Sequence, residues 1–378
     1  MRTVWSKRFL VFLLVSVMLL SNLVYAAPEN SAGTASSDKQ LEKKLDEYLG
    51  ILAKNGAFRG VVLVTKDGRT IYEKAYGKAC EEHNVSNKND TKFEIGSVTK
   101  QFTAASVLML AQQNKLDVTD KLSKYIPDYP NGDKITIHNL LAQNSGIAEH
   151  TSEIMNPDFN PAKKYKPEDI IALFKYKPLS FEPGEKFQYC NSNYILLGYI
   201  IEKVSGKSWA QYVTDNIIGP LKLTNTGFTD RQRVVNNLAQ GYTTETDGIR
   251  RCGYIDGSFP YAAGQIYTNA QDLAKWNEAL FSNKVLNADY TTKMLTKYVK
   301  MSGDQSYYGY GVMLQKDNGR DVAWHPGDIF GFSACWLRYV DAGTNIIVLS
   351  NNDCTNTQDI CFTVGHIYNN DKYELPKF

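Results

Sequence analysis

The sequence predicts an α+β fold: an antiparallel sheet assembled from both ends of the chain, terminal helices against it, and a mostly helical lobe inserted between. Strand-like runs gather near each end, whereas the long middle is dominated by apolar positions at helical spacing. Turn dipeptides at both ends, Asp67–Gly68 and Asn318–Gly319, mark tight connections between antiparallel neighbours.

The elements follow in order. Arg2, Lys7 and Arg8 precede an apolar run from Phe9 to Leu20, and the small residues of SNLVYAAPEN suit cleavage after Ala26. Residues 1–26 therefore read as a secretory signal, since the run is short of the roughly 20 apolar residues that span a bilayer. An uncleaved membrane anchor is the alternative. The expected location is secreted or periplasmic, with no stable membrane span once the signal is cut. Residues 27–40 are mostly small and polar and read as a flexible linker. Leu41, Leu45, Tyr48, Leu49 and Leu52 then form one helical stripe, and FRGVVLVTKDGRTIYEKAYG forms two β-rich runs around Asp67–Gly68. QFTAASVLMLAQQNKL, PEDIIALFKY, NYILLGYIIEKVSG, SWAQYVTDNI and NAQDLAKWNEALF are helix candidates punctuated by Gly or Pro. YGYGVMLQ, RDVAWH, GFSACWLRYV and TNIIVLSN restore the strand pattern, and an apolar helix near 358–368 closes the chain. The sheet lobe is thus expected from 41–96 plus 300–372, and the helical lobe from 97–299.

Charge narrows the function classes. The 378 residues carry 42 Lys+Arg against 40 Asp+Glu, and removing the three cations of the signal leaves 39 against 40. No basic cluster points to nucleic acid, and no glycine pattern cradles a phosphate. The six cysteines (Cys80, Cys190, Cys252, Cys335, Cys354, Cys361) include no CxxC pair, and the five histidines are scattered. No metal or cofactor is expected, although export permits disulfides. The expected partner is a small-molecule or peptide substrate.

Chemistry enters at FEIGSVTKQFTAASVLML. If this stretch is helical, Ser97 and Lys100 share a face, and the serine sits where unpaired backbone N–H groups favour negative charge. The pair alone equally suits a capping serine, and Ser36 and Lys39 repeat the spacing in a polar segment. FEPGEKFQYCNSNYILLG adds Tyr189 and Asn191 two apart at a helix mouth; VAWHPGDIFGF adds His325, Pro326 and Gly327 in a strand. This ordered set (S-x-x-K, Y-x-N, then a basic residue, x and Gly) resembles the serine β-lactamase and penicillin-recognising peptidase superfamily. The resemblance is to the branch of class C β-lactamases, D-Ala-D-Ala carboxypeptidases and related esterases. ITIHNLLAQNSGI, AAGQIYTNAQDLAKW and YGYGVML are also similar to stretches of that branch, and the likeness runs from about residue 45 to 352.

The resemblance implies a β-lactamase/transpeptidase-like fold, with a five-stranded antiparallel sheet and one catalytic domain over 41–372. It implies that Ser97 is the acylated nucleophile, with Lys100 and Tyr189 as base and proton shuttle. Lysine and tyrosine side chains ordinarily titrate at about 10, so one of the two must be perturbed, and which is the base stays open. Asn191 would hold the substrate amide, His325 would line the opposite wall, and the N–H groups of Ser97 and Asp328 would form the oxyanion hole. Gly327 is expected to leave room for a substrate strand. Ser145 has no lysine partner and reads as a loop residue. Three departures bear on substrate. Pro326 offers no donor where relatives commonly hold a substrate carboxylate with a hydroxyl, and Asp328 would repel an anion. Gln265 replaces a glycine and is expected to narrow one edge of the cleft. Cys190 within Y-x-N reads as an inert buried thiol, a disulfide partner or an oxidation-sensitive neighbour. The leading expectation is a D-alanyl-D-alanine carboxypeptidase-like, penicillin-binding peptidase acting on cell-wall peptides. The alternatives are a carboxylesterase or D-amino-acid amidase, a class C-like β-lactamase, and a penicillin-recognising wall-binding module that is not an enzyme.

Overall fold

The structure, a computed structural model, describes residues 31–230, 232–303 and 305–378, with side chains from residue 39 onward. The expected signal and the start of the expected linker lie outside these residues. The chain divides into units 1–43 and 44–378. Residues 31–40, expected as linker, instead open helix α1 (Ser31–Lys54). No proline follows Pro28 there, and Ala32, Ala35 and the run from Lys39 are good helix formers. Its stripe is used as expected, with Leu45, Tyr48 and Leu49 buried.

One antiparallel sheet organises the second unit. Its strands are β1 (Gly60–Lys66), β2 (Arg69–Tyr76), β3 (Val299–Lys300), β4 (Tyr307–Tyr308), β5 (Met313–Asp317), β6 (Arg320–Ile329), β7 (Phe332–Tyr339) and β8 (Thr344–Ser350). Their order across the sheet is β3-β4-β5-β6-β7-β8-β1-β2, so the ends of the chain meet where β8 pairs β1 along seven residues. Asp67 and Gly68 close the β1–β2 hairpin with φ of 49° and 76°, the left-handed pair that matches strand twist. The sheet has eight strands where five were expected. β3 and β4 are two residues each, too short for alternation to register in sequence. The run YGYGVMLQ is also split, because Gly309 and Gly311 (φ 73°) turn the chain between β4 and β5.

β7 and β8 are buried at every position, as strands covered on both faces must be. Helix α5 (Thr357–Tyr368) packs on these two strands, and α4 (Ala270–Phe281) packs on β1 and β8. In the inserted lobe, α2 (Lys100–Gln112) packs against α3 (Asn191–Ser205), and both contact a short helix, Tyr261–Gly264. Short strands that sequence period did not reveal lie in this lobe and at its entry. Phe93–Glu94, Gly227–Phe228 and Ile266–Thr268 form one small sheet, and Tyr242–Glu245 with Gly248–Arg251 form a hairpin. Among the described residues no helix is long and apolar enough to cross a membrane.

Candidate active site

The S-x-x-K segment folds as a 3-10 turn, Gly96–Thr99, running into α2. Residues three apart eclipse in that turn, which brings Lys100 back over Ser97. Ser97 does not cap the helix. Thr99 stands at the N-cap without a side-chain cap bond, and its Oγ1 accepts the N–H of Ile266 instead. The turn is wedged against β6. Gly96 has φ 46°, and a Cβ there would lie 2.7 Å from the Asp328 carbonyl oxygen. A Cβ on Gly327 would lie 2.1 Å from the Ile95 oxygen and 3.0 Å from the Ser97 nitrogen. The missing side chain of Gly327 thus admits the backbone of the serine turn, a constraint the sequence did not reveal. Both backbone nitrogens expected in the oxyanion hole, those of Ser97 and Asp328, belong to this seam.

Lys100 is wholly buried. Its Nζ lies 3.0 Å from Ser97 Oγ, 2.7 Å from Asn191 Oδ1 and 3.0 Å from the Ala263 carbonyl oxygen. Burial pulls its pKa down from 10.5 to about 7, against the opposing pull of the Glu149 charge. A neutral amine keeps two N–H donors and one lone pair. Asn191 Oδ1 and the Ala263 carbonyl can only accept, so they hold the donors and turn the lone pair toward the Ser97 hydroxyl.

Tyr189 leans on the same amine, with Lys100 Nζ 4.9 Å from its ring centroid. Its hydroxyl is buried and has no hydrogen bond of sound geometry, although the Ser97 hydroxyl is close enough to interact with it. Burial holds the phenol pKa well above its ordinary value, with Tyr308 adding to the rise. The phenol therefore keeps its proton at neutral pH and can act as a donor.

His325 does not line an open wall, as expected, but is buried between aromatic rings. Its Nε2 is 3.1 Å from the Tyr308 hydroxyl, its Nδ1 is 2.6 Å from the Pro326 carbonyl, and its ring is 6.0 Å from that of Tyr189. Burial and the nearby Lys100 push its pKa down to about 3, so it is uncharged at neutral pH. Asn191 is committed to Lys100 and, through its N–H and Nδ2, to Glu149 Oε2 at 2.5 and 3.2 Å. The Glu149 carboxyl is held at about 2: burial opposes ionisation, but His150 and the N–H groups of Thr151 and Asn191 outweigh it. Nothing in the spacing of NSGIAEH pointed to this acid, since loops carry no periodic signal.

The remaining expectations resolve simply. Pro326 sits past the last β5 pairing partner, Trp324, where β6 has become an edge and can lose an N–H. Gln265 does not reach the cleft; its Nε2 donates to the Thr229 carbonyl at 3.0 Å. Ser145 is a buried loop residue whose hydroxyl donates to Asn193 Oδ1 at 2.6 Å. Cys190 is a buried free thiol whose pKa burial raises to about 12, the inert reading of the three.

A cavity of about 320 Å³ opens beside Ser97. Ser97, Asn191, Gly264 and Asp328 line it together with an apolar wall that includes Ile154, Phe259 and Phe330. Lys100, Tyr189, His325 and Gly327 are not among its lining residues. His150 and Asp353, which the sequence did not single out, do line it.

The chain matches the family described as Beta-lactamase over residues 39–360. It is 29% identical to the PbpX protein of Bacillus subtilis over 93% of this chain and 85% of that protein. The penicillin binding protein from Bacillus halodurans superposes with a TM-score of 0.76 at 28% identity, over 83% of this chain and 97% of that one. The D-amino acid amidase of Ochrobactrum anthropi SV3 shares the fold, with a TM-score of 0.77 at 21% identity over 89% and 99% of the two chains. The wedged serine turn, the buried lysine and the matched span agree: this chain belongs to the β-lactamase family and is a serine hydrolase of the penicillin-binding-protein type.

Proposed function

We propose that this protein is an exported hydrolase that forms an acyl-serine on Ser97 and acts on amides or esters with an uncharged leaving group. The carrying observation is the Lys100 amine, 3.0 Å from Ser97 Oγ with its donors held elsewhere. Lys100 takes the serine proton as Oγ attacks the carbonyl carbon. The N–H groups of Ser97 and Asp328 stabilise the oxyanion; such a donor is typically worth about 10²–10³ in rate. Tyr189, protonated and beside Ser97, gives its proton to the leaving group and recovers one from Lys100. Water then releases the acyl group by the reverse route. Neither His325, which is uncharged, nor Pro326, which has no N–H, can hold a carboxylate on the leaving-group side.

A second reading is the D-alanyl-D-alanine carboxypeptidase-like activity, whose leaving group carries a carboxylate. The relationship to the penicillin binding protein from Bacillus halodurans favours it. The two readings separate on a panel of a neutral p-nitrophenyl ester, a D-Ala-D-Ala peptide and nitrocefin. Turnover of the ester well above the peptide supports the first; turnover of the peptide alone overturns it in favour of the second, and turnover of nitrocefin alone marks a β-lactamase. Fluorescent penicillin should label the wild type and not Ser97→Ala. Binding without acylation of Ser97 would leave a wall-binding module.

A further inference from the structure

We infer that the acyl end of the cleft is built to take an ammonium group, held by Asp328 and Asp353 beside an apolar side-chain pocket. The substrate class is then an aminoacyl amide or ester with a free amine. The inference rests on the acyl-serine reading above and deepens it.

The direction of the substrate comes from the chain. Tyr189, which protonates the leaving group, lies beside His325 near the middle of β6. The strand then passes the Asp328 N–H and continues to Ile329 and Phe330, which line the cavity. The acyl part therefore extends toward Asp328, Phe330 and Asp353.

At that end the charge is negative and unpaired. Both carboxylates line the cavity, and among the described residues no lysine, arginine or histidine forms an ion pair with either. The surrounding protein, together with the charge on Asp353, raises the Asp328 pKa, so the two acids sense each other. A cation placed between them relieves that repulsion; a second anion adds to it. Asp353 is held in place, its Oδ2 accepting the Gly331 N–H at 2.9 Å.

A third group points the same way. His150 is fully buried, lines the same cavity and has no partner for Nε2. Its Nδ1 is 3.1 Å from Ser192 Oγ and 3.2 Å from Glu149 Oε1. Nε2 is therefore the one ring nitrogen left for a group in the cavity to engage. Ile154, Phe259 and Phe330 supply apolar surface for the side chain of the same acyl group.

The test compares D-phenylalanine p-nitroanilide with its N-acetyl (neutral) and N-succinyl (anionic) forms at pH 6.5. Wild-type kcat/KM should favour the free amine over the acetyl form by about tenfold, equivalent to ~1.4 kcal/mol, with the succinyl form poorest. Asp353→Asn, which keeps the acceptor for Gly331, should collapse the preference to within about threefold, chiefly through KM. Equal turnover of free and acetylated forms by the wild type, or a preference that survives Asp353→Asn, would overturn the inference. If no anilide is hydrolysed, protection of Ser97 from a neutral fluorophosphonate decides. Protection by D-phenylalaninamide and not by its N-acetyl form supports the ammonium site, and equal or absent protection overturns it. Failure of the fluorophosphonate itself to label Ser97 overturns the acyl-serine reading beneath it.

Discussion

Glu149→Gln should move the acid limb of the pH–rate profile to lower pH. Activity requires Lys100 unprotonated, so kcat/KM rises with pH until the lysine has lost its proton, near its perturbed pKa of about 7, and then levels. The Glu149 charge opposes that perturbation by favouring the ammonium form. The carboxylate reaches Lys100 through a single amide: Oε2 is 3.2 Å from Asn191 Nδ2, and Asn191 Oδ1 is 2.7 Å from Lys100 Nζ. At a separation of about 8 Å and an effective dielectric of about 20, the attraction is ~2 kcal/mol, and partial solvation of the acid reduces it. Removing the charge should therefore lower the Lys100 pKa by about 0.5–1.5 units. At pH 6 the wild type should retain about a tenth of its plateau rate, and a variant shifted by one unit about half. The assay is kcat/KM on a neutral p-nitrophenyl ester from pH 5 to 9, read as the position of the limb rather than plateau height. A limb that stays in place or moves upward would refute both the assignment of Lys100 as base and the coupling through Asn191.

Three further outcomes follow from the same geometry. Tyr189→Phe should cut kcat by about 10²–10⁴, as loss of a positioned proton donor does, with unchanged or slightly raised Tm because the buried hydroxyl has no sound hydrogen bond to lose; a large fall in Tm would show that the hydroxyl is structural. Lys100→Met should abolish acylation yet stabilise the fold. The depressed pKa means that folding costs about 5 kcal/mol below pH 7, where both states are protonated, and the penalty fades as pH rises toward 10.5, where the unfolded lysine also loses its proton. Chemical denaturation should accordingly show a gain of roughly 1–3 kcal/mol at pH 6 that shrinks at pH 9, since two carbonyl acceptors lose their partner; a variant less stable than wild type at pH 6 would contradict this. Gly327→Ala should push the serine turn off β6, lowering Tm and cutting kcat/KM at least 10²-fold, and a fully active variant would show that the seam does not position Ser97.

The motif residues were legible because their chemistry is rare in combination. Ser97, Lys100, Tyr189 and Asn191 were found through two short spacings on separate segments, and the structure brings them together around one amine. Glu149, His150 and Asp353 were not legible. Each lies outside regular repeats, and an acid in a loop is ordinarily a solvated one. The packing of His325 and Gly327 was hidden for a related reason. A strand pattern reports which residues alternate, not which neighbour approaches, so the burial of His325 and the collision that Gly327 avoids depend on where the serine turn docks. β3 and β4 escaped notice because two residues carry no period.

The sequence by itself determined the α+β class, the pairing of distant chain ends and the main helices. Local patterns specify these, because periodicity and turn chemistry act over a few residues. The tertiary structure alone decided the electrostatics. The Lys100 amine sheds its charge near neutral pH and the Tyr189 phenol keeps its proton because folding removes both from water, and desolvation depends on every segment packed around the pair rather than on either residue's neighbours in the chain.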